Sequence, residues 1–189
     1  MPRSEEHRKL TEAAKRTAGI LRDAEVPFLL AGGLASWARG GPQTDHDVDF
    51  FVRPEHAEPA LRALDEAGMR TEKPPEDWLY KAFDEDGTLI DIIFSPSGGP
   101  VGDAYFDHAE EVEVLGVGMK VASLEDVMTT KLLSLSEQEP DFTSVLSMTR
   151  ALREQVNWDH VRERTQGSPF AMAFFTLVEE LGIVERESA

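Results

Sequence analysis

The stretch Leu29–Val52, LLAGGLASWARGGPQTDHDVDFFV, decides how this chain folds. An apolar run ends in the pair Gly32-Gly33, a short helical segment follows, and Asp47 and Asp49 then alternate in a run rich in Val and Phe. Because residues i and i+2 of a strand point to the same face, both carboxylates project together. Like charges this close favour a bound cation, and carboxylates joined by substrate phosphates are typical ligands of Mg2+. The stretch therefore predicts a metal site beside a glycine turn that lets the backbone approach a phosphate.

The glycine pair and the alternate carboxylates resemble the signature of the nucleotidyltransferase superfamily, which includes DNA polymerase beta. That signature is hG[GS], a spacer, and then Dh[DE]h; here thirteen residues separate Gly33 from the D-V-D-F run that begins at Asp47. The superfamily adds a third carboxylate within an apolar strand, and Asp91 in LIDIIF has that setting.

The resemblance implies the chemistry of the site. It implies transfer of a nucleoside monophosphate from an NTP such as ATP to an acceptor, with release of pyrophosphate. It also implies two Mg2+ ions, for which Mn2+ can substitute, and phosphate-binding glycines at Gly32 and Gly33. The implied catalytic metal ligands are Asp47, Asp49 and Asp91.

A second motif lies in SLEDVMTTKLLSLSEQEPDF, residues 123–142. It resembles the later motif of minimal nucleotidyltransferases and of AbiEii/MenT-type toxins, in which an L-x-[ED]-h-h-x-x-K helix precedes a D-h-x-x-h segment. Lys131 matches the lysine of that helix, and Asp141 begins the second part. The resemblance implies that Lys131 is a catalytic residue that reaches the nucleotide phosphates, and that Asp141 belongs to the nucleotide-binding site.

The acceptor has two candidates. The second motif favours a toxin-like enzyme that modifies tRNA, with a cognate antitoxin protein as a further partner. The Gly-Gly pair and the His46-Asp47-Val48-Asp49 run are closer to aminoglycoside adenylyltransferases, so an aminoglycoside-type antibiotic is the alternative. A catalytically silent nucleotide-binding module is a third hypothesis, which the intact carboxylates disfavour. Asp45, where the toxins have Ser or Thr, is either an extra ligand or a turn cap.

Composition limits the class of protein. The 189 residues include no cysteine, so they hold no disulfide framework and no thiolate zinc site. No apolar run reaches membrane-spanning length and no signal-type core begins the chain, so we expect a cytoplasmic protein without membrane contact. The net charge of -17 disfavours bulk contact with nucleic acid. Acidic loops could instead hold a cationic acceptor, with candidates at Glu76, Asp77 and Asp103.

The order of the elements predicts an α+β (mixed α/β) fold, with a mixed β-sheet flanked by helices and a helical C-terminal part. We expect a nucleotidyltransferase core at residues 1–122 and a helical region at residues 123–189, packed on that core. Residues 71–77 are predicted as a loop, and two strands, WLYKAF and TLIDIIF, as a hairpin that carries Asp91 beside the strand with the alternate carboxylates. Ser123, Asn157 and Ser168 are predicted helix caps.

Overall fold

A computed structural model of the chain describes residues 5–44, 46–114 and 116–185. The helices are α1 Glu5–Asp23, α2 Gly32–Trp37, α3 Pro54–Glu66, α4 Asp103–Asp107, α5 Leu124–Ser134, α6 Thr143–Leu152, α7 Trp158–Thr165 and α8 Pro169–Glu180, with a 3-10 turn at Arg153–Gln155. The strands are β1 Leu29–Leu30, β2 Val48–Phe51, β3 Arg70–Glu72, β4 Leu79–Phe83, β5 Leu89–Ile93, β6 Glu110–Val114 and β7 Val117–Val121. Within these ranges, no helix has the length and apolar character needed to cross a bilayer.

All seven strands form one mixed sheet in the order β3-β4-β5-β2-β1-β7-β6. The pairs β2/β5 and β1/β7 are parallel, and the remaining neighbours are antiparallel. The mixed α+β fold expected from the sequence is therefore confirmed. The neighbouring strands β2 and β5 carry Asp49 and Asp91, so these two carboxylates lie in the interior of the sheet and not at its edge.

The two faces of the sheet have different coverings. Helix α3 lies against β4 and β5 and contacts α1. The hydroxyl of Tyr80 on β4 donates to Glu58 of α3 at 3.0 Å, which shows that Tyr80 points to this helical face. Val48 and Phe50 are fully buried. Since side chains alternate along a strand, Asp49 of β2 and Lys81 of β4 point to the opposite face.

The helices after residue 123 pack on one another and, through α5, on α2. Ser123 caps α5 by accepting the backbone N–H of Asp126 at 3.1 Å, and its hydroxyl donates to the Asp126 carboxylate at 2.7 Å. Arg164 of α7 donates to the same buried carboxylate at 2.7 Å, which ties α7 to the start of α5. The predicted caps Ser123, Asn157 and Ser168 are confirmed.

Several predicted boundaries were wrong. The loop expected at 71–77 begins inside a strand, because Arg70–Glu72 pairs with β4 as β3. Helix α4, at Asp103–Asp107, was not predicted from the sequence. Helix α2 was expected to follow the glycine pair, but it begins at Gly32 itself. The glycine pair is therefore the first turn of a helix, not a loop ahead of one.

Candidate active site

The parallel pairing of β2 and β5 brings the three predicted carboxylates together. Asp49 lies directly opposite Asp91 in the register, and Asp47 lies just before the first residue of β2. One carboxylate oxygen from each of the three residues lies within 4.8 Å of the other two. Carboxylates at this separation can share one or two hard cations, so the donor set fits a divalent metal such as Mg2+.

The start of α2 is built around the side chain of Asp49. Gly32 has φ of +56°, and a Cβ at this position would lie 1.7 Å from Oδ2 of Asp49. The backbone N–H of Gly33 donates to the Asp49 carboxylate. The Ala31 N–H also donates to the Asp49 carbonyl at 2.9 Å. Of the two predicted phosphate-binding glycines, Gly32 is thus required by its close approach to Asp49, whether or not a nucleotide binds there.

The segment before Asp47 is fixed by the N-terminal helix. The carbonyl of Thr44 lies 2.9 Å from Nδ1 of the fully buried His7 of α1, and the His7 ring packs edge-on against Trp37. A Cβ on Gly33 would lie 2.8 Å from the Thr44 side chain. Sequence reasoning missed these contacts, because no local pattern relates residue 7 to residue 44. Asp45, the extra ligand or cap candidate, lies outside the described residues.

Burial and crowding raise the pKa of Asp49. Burial is the largest cause, and the charges of Asp47 and Asp91 add to it; the Lys131 ammonium and the Gly33 N–H act in the opposite direction, and the resulting pKa is about 7. Lys131 is half-buried on α5, which packs against α2. The charge of Lys131 thus acts on Asp49, and its role in nucleotide binding stays a prediction.

Lys81 is a charged neighbour that sequence reasoning missed. It lies opposite Asp91 in the β4/β5 register, and its Nζ donates to Oδ1 of Asp91 at 3.3 Å. Burial raises the pKa of Asp91, and the Lys81 ammonium opposes that rise. The hairpin predicted around residues 84–87 already implied this pairing, so the signal was in the sequence.

Asp141 is not part of the carboxylate cluster formed by the described residues. Its exposed carboxylate accepts the backbone N–H of Thr143 at 2.8 Å, at the start of α6. The hydroxyl and N–H of Thr143 lower the pKa of Asp141. The structure thus gives Asp141 a local role at a helix start, and its role in nucleotide binding stays a prediction.

No family model and no curated protein matches the sequence. Solved structures do resemble it. The crystal structure of ANT(2")-Ia in complex with adenylyl-2"-tobramycin has a TM-score of 0.63 at 14% identity, over 87% of this chain and 98% of that one. The solution structure of ANT(2")-Ia gives 0.62 at 13% identity, over 91% and 96% of the two chains. A protein from Thermotoga maritima assigned to the nucleotidyltransferases gives 0.52 at 19% identity, over 64% and 81%. Identities this low establish shared architecture alone, and the chain accordingly has the nucleotidyltransferase fold.

Proposed function

We propose that this protein is a metal-dependent nucleotidyltransferase. The observation that carries the proposal is the cluster of Asp47, Asp49 and Asp91, whose oxygens converge within 4.8 Å on the sheet face opposite α3. The fold is shared with ANT(2")-Ia, one structure of which holds an adenylylated product. A cluster of three carboxylates favours a bound cation, and this supports a metal site at these residues.

The residues present fit divalent ions. Asp47, Asp49 and Asp91 would hold them through their carboxylate oxygens. Burial is the largest cause of the pKa of about 7 at Asp49, and the negative charges of Asp47 and Asp91 add to it. When bound, Mg2+ ions would stabilise the charge that develops on the entering and leaving oxygens of an in-line displacement.

The chain's own residues would handle the phosphates and the proton. The acceptor hydroxyl oxygen attacks the α-phosphorus of the NTP, the bond to the β-phosphate oxygen breaks, and pyrophosphate leaves. The Asp91 carboxylate takes the hydroxyl proton; its raised pKa suits a general base. Lys131 neutralises triphosphate charge, and the first turn of α2, at Gly32 and Gly33, lies against the phosphates.

For the acceptor we favour a small cationic molecule of the aminoglycoside type over tRNA. An RNA needs a basic path, yet many of the available cations are engaged with acids in ion pairs: Arg8–Glu5, Lys15–Glu12, Arg16–Glu85, Arg153–Glu154, Arg162–Glu179 and Arg164–Asp126. Glu76 and Asp77 are exposed just before β4, beside Trp78, whereas Asp103 is paired with Arg53. A toxin-like enzyme that modifies tRNA and has an antitoxin partner stays the second candidate. It is supported by the resemblance of the motif around Lys131 to that of the toxins.

Labelled NTPs test the proposal and the acceptor together. The protein is incubated with Mg2+ and each of the four NTPs labelled at the α-phosphate, with either a panel of aminoglycosides or total tRNA. We expect label on an aminoglycoside-type amine sugar, and none with the Asp47→Asn variant. Label on tRNA alone would transfer the proposal to the second candidate. Label on neither acceptor, with any NTP, would contradict the proposed activity.

A further inference from the structure

Lys81, two of the carboxylates and the glycine pair lie in order across the sheet face that carries Asp49 and Asp91. Lys81 lies on β4, Asp91 on β5 and Asp49 on β2, and these strands are consecutive neighbours. The glycine pair that begins α2 directly follows β1, the next strand in the sheet. Lys81 therefore lies at the end of the cluster that is farthest from the proposed phosphate site. We expect the acceptor to bind at this end.

The two lysines of the site serve different carboxylates. The Lys131 ammonium acts on Asp49, whereas Lys81 donates to Oδ1 of Asp91. The side chain of Asp91 is 10% exposed and that of Lys81 29% exposed, so this ion pair is partly shielded from water. Partly buried charges interact more strongly than exposed ones. A metal ion at Asp91 must therefore compete with an ammonium that is already in place.

We propose that Lys81 is a positioning residue that holds Asp91 by one oxygen and weakens divalent-cation binding on the acceptor side of the cluster. The fixed oxygen leaves the second oxygen of Asp91 to face the metal and the acceptor hydroxyl. The ammonium also partly neutralises the cluster, which limits metal binding before the nucleotide phosphates arrive. This inference rests on the proposed function, because it assigns Lys81 a role at the same metal site.

Metal titration of the nucleotide-free protein tests the inference without any turnover. Mn2+ binding is measured at pH 8 by electron paramagnetic resonance of free Mn2+ for wild type, Lys81→Met, Lys81→Gln and Lys81→Arg. Lys73→Met is the matched control, since Lys73 also forms an ion pair with a carboxylate, Glu58, but on the α3 face. We expect Lys81→Met and Lys81→Gln to bind the weaker Mn2+ ion at least about tenfold more tightly. Lys81→Arg and Lys73→Met should stay near wild type.

A second readout separates positioning from simple charge. With an acceptor found for the wild type, Lys81→Met should lower kcat at saturating metal by about tenfold or more, with NTP affinity unchanged. Unchanged Mn2+ affinity in both neutral variants, or an unchanged kcat, would overturn the inference and leave the proposed function intact. Absence of Mn2+ binding by the wild-type protein would show that the metal site does not exist. That result would contradict both the inference and the proposed function.

Discussion

At the scale of single residues, the charge of Asp49 links the candidate site to the stability of the fold. Its pKa rises from 3.8 to about 7, because it is buried next to Asp47 and Asp91. The unfolded chain has no such burial, so folding favours the protonated carboxyl. The resulting penalty is absent below about pH 4, where both states are protonated, grows as pH rises towards the folded pKa of about 7, and levels off above it, where both states become ionised.

Asp49→Asn should therefore stabilise the metal-free protein, by an amount that grows as pH rises from about 4 through about 7 and then levels off. The gain at pH 8 should be on the order of 1–3 kcal/mol in the free energy of unfolding. Denaturant unfolding in a chelator, repeated across pH, measures the difference. Asp86→Asn, at an exposed turn, is the control and should show little change. A gain for Asp49→Asn that does not vary with pH would contradict the assigned cause.

Lys131→Ala tests the cation of the proposed nucleotide site. Because its ammonium acts on the carboxylate cluster from a half-buried position, its loss should weaken NTP binding and slow transfer. The combined loss should be on the order of 2–4 kcal/mol, the scale for one preorganised electrostatic contact. Calorimetric titration with NTP measures the loss of affinity, and the rate of transfer measures the loss of activity. Lys120→Ala, at an exposed lysine of β7, is the control. Equal NTP affinities and transfer rates for the two variants would contradict the role of Lys131 at the nucleotide site.

At the scale of elements, the junction between α2 and β2 forms the site. The first turn of α2 approaches Asp49 so closely that position 32 tolerates no side chain, and its positive φ also favours glycine. The N–H of Gly33 donates to Asp49 where a capping side chain would otherwise act. The start of helix α2 and the side chain of Asp49 on β2 therefore fix each other's position.

Gly32→Ala should disrupt both the fold and the site, because the new methyl group must displace the Asp49 carboxylate. Gly87→Ala is a matched control, since Gly87 also has a positive φ, of +79°, but open space around its Cβ position. We expect the control to cost about 1 kcal/mol in unfolding free energy and Gly32→Ala clearly more. Mn2+ binding should be lost for Gly32→Ala alone. Equal costs and retained Mn2+ binding would show that the contact with Asp49 does not matter.

The elements with strong local patterns were predictable, and those fixed by tertiary pairing were not. The alternate carboxylates, the hairpin that carries Asp91 and the cap at Ser123 follow from local chemistry. Strand β3 has three residues with little burial, and α4 has five residues in a Gly- and Pro-rich region, so neither offers periodicity. The contact of Lys81 with Asp91 could be predicted only by working out the register of the hairpin. The contact of His7 with Thr44 joins residues 37 positions apart, so no local pattern predicts it.

At the scale of the whole molecule, the net charge of -17 bears on the choice between the two proposed acceptors. Long-range repulsion slows the approach of a polyanion and favours a cation. The ion pairs of the N-terminal and C-terminal helices reduce the positive charge that a nucleic acid could use, although each such surface pair is weak. The overall electrostatics thus agree with a small cationic acceptor.

Arg150, in the last turn of α6, and Arg153, in the 3-10 turn, are exposed cations that an RNA backbone could contact. Replacing both by alanine should leave transfer to a cationic small molecule unchanged. The same change should weaken binding of tRNA and flatten its salt dependence if tRNA is the acceptor, since fewer phosphates are neutralised. Transfer rates across a range of salt concentrations measure both cases, with NTP affinity as the internal control. A large loss of transfer to the small acceptor would contradict the preferred assignment.

Pyrophosphate release with Mg2+ tests most directly the claim that Asp47, Asp49 and Asp91 form a metal-dependent nucleotidyltransfer site. The rate is measured with NTP and acceptor for wild type, for Asp47→Asn and for the exposed control Asp86→Asn, with and without a chelator. We predict that chelation stops release, that Asp47→Asn lowers the rate at least about a hundredfold, and that Asp86→Asn stays near wild type. Release by Asp47→Asn at near the wild-type rate, or release that persists in the chelator, would contradict the claim.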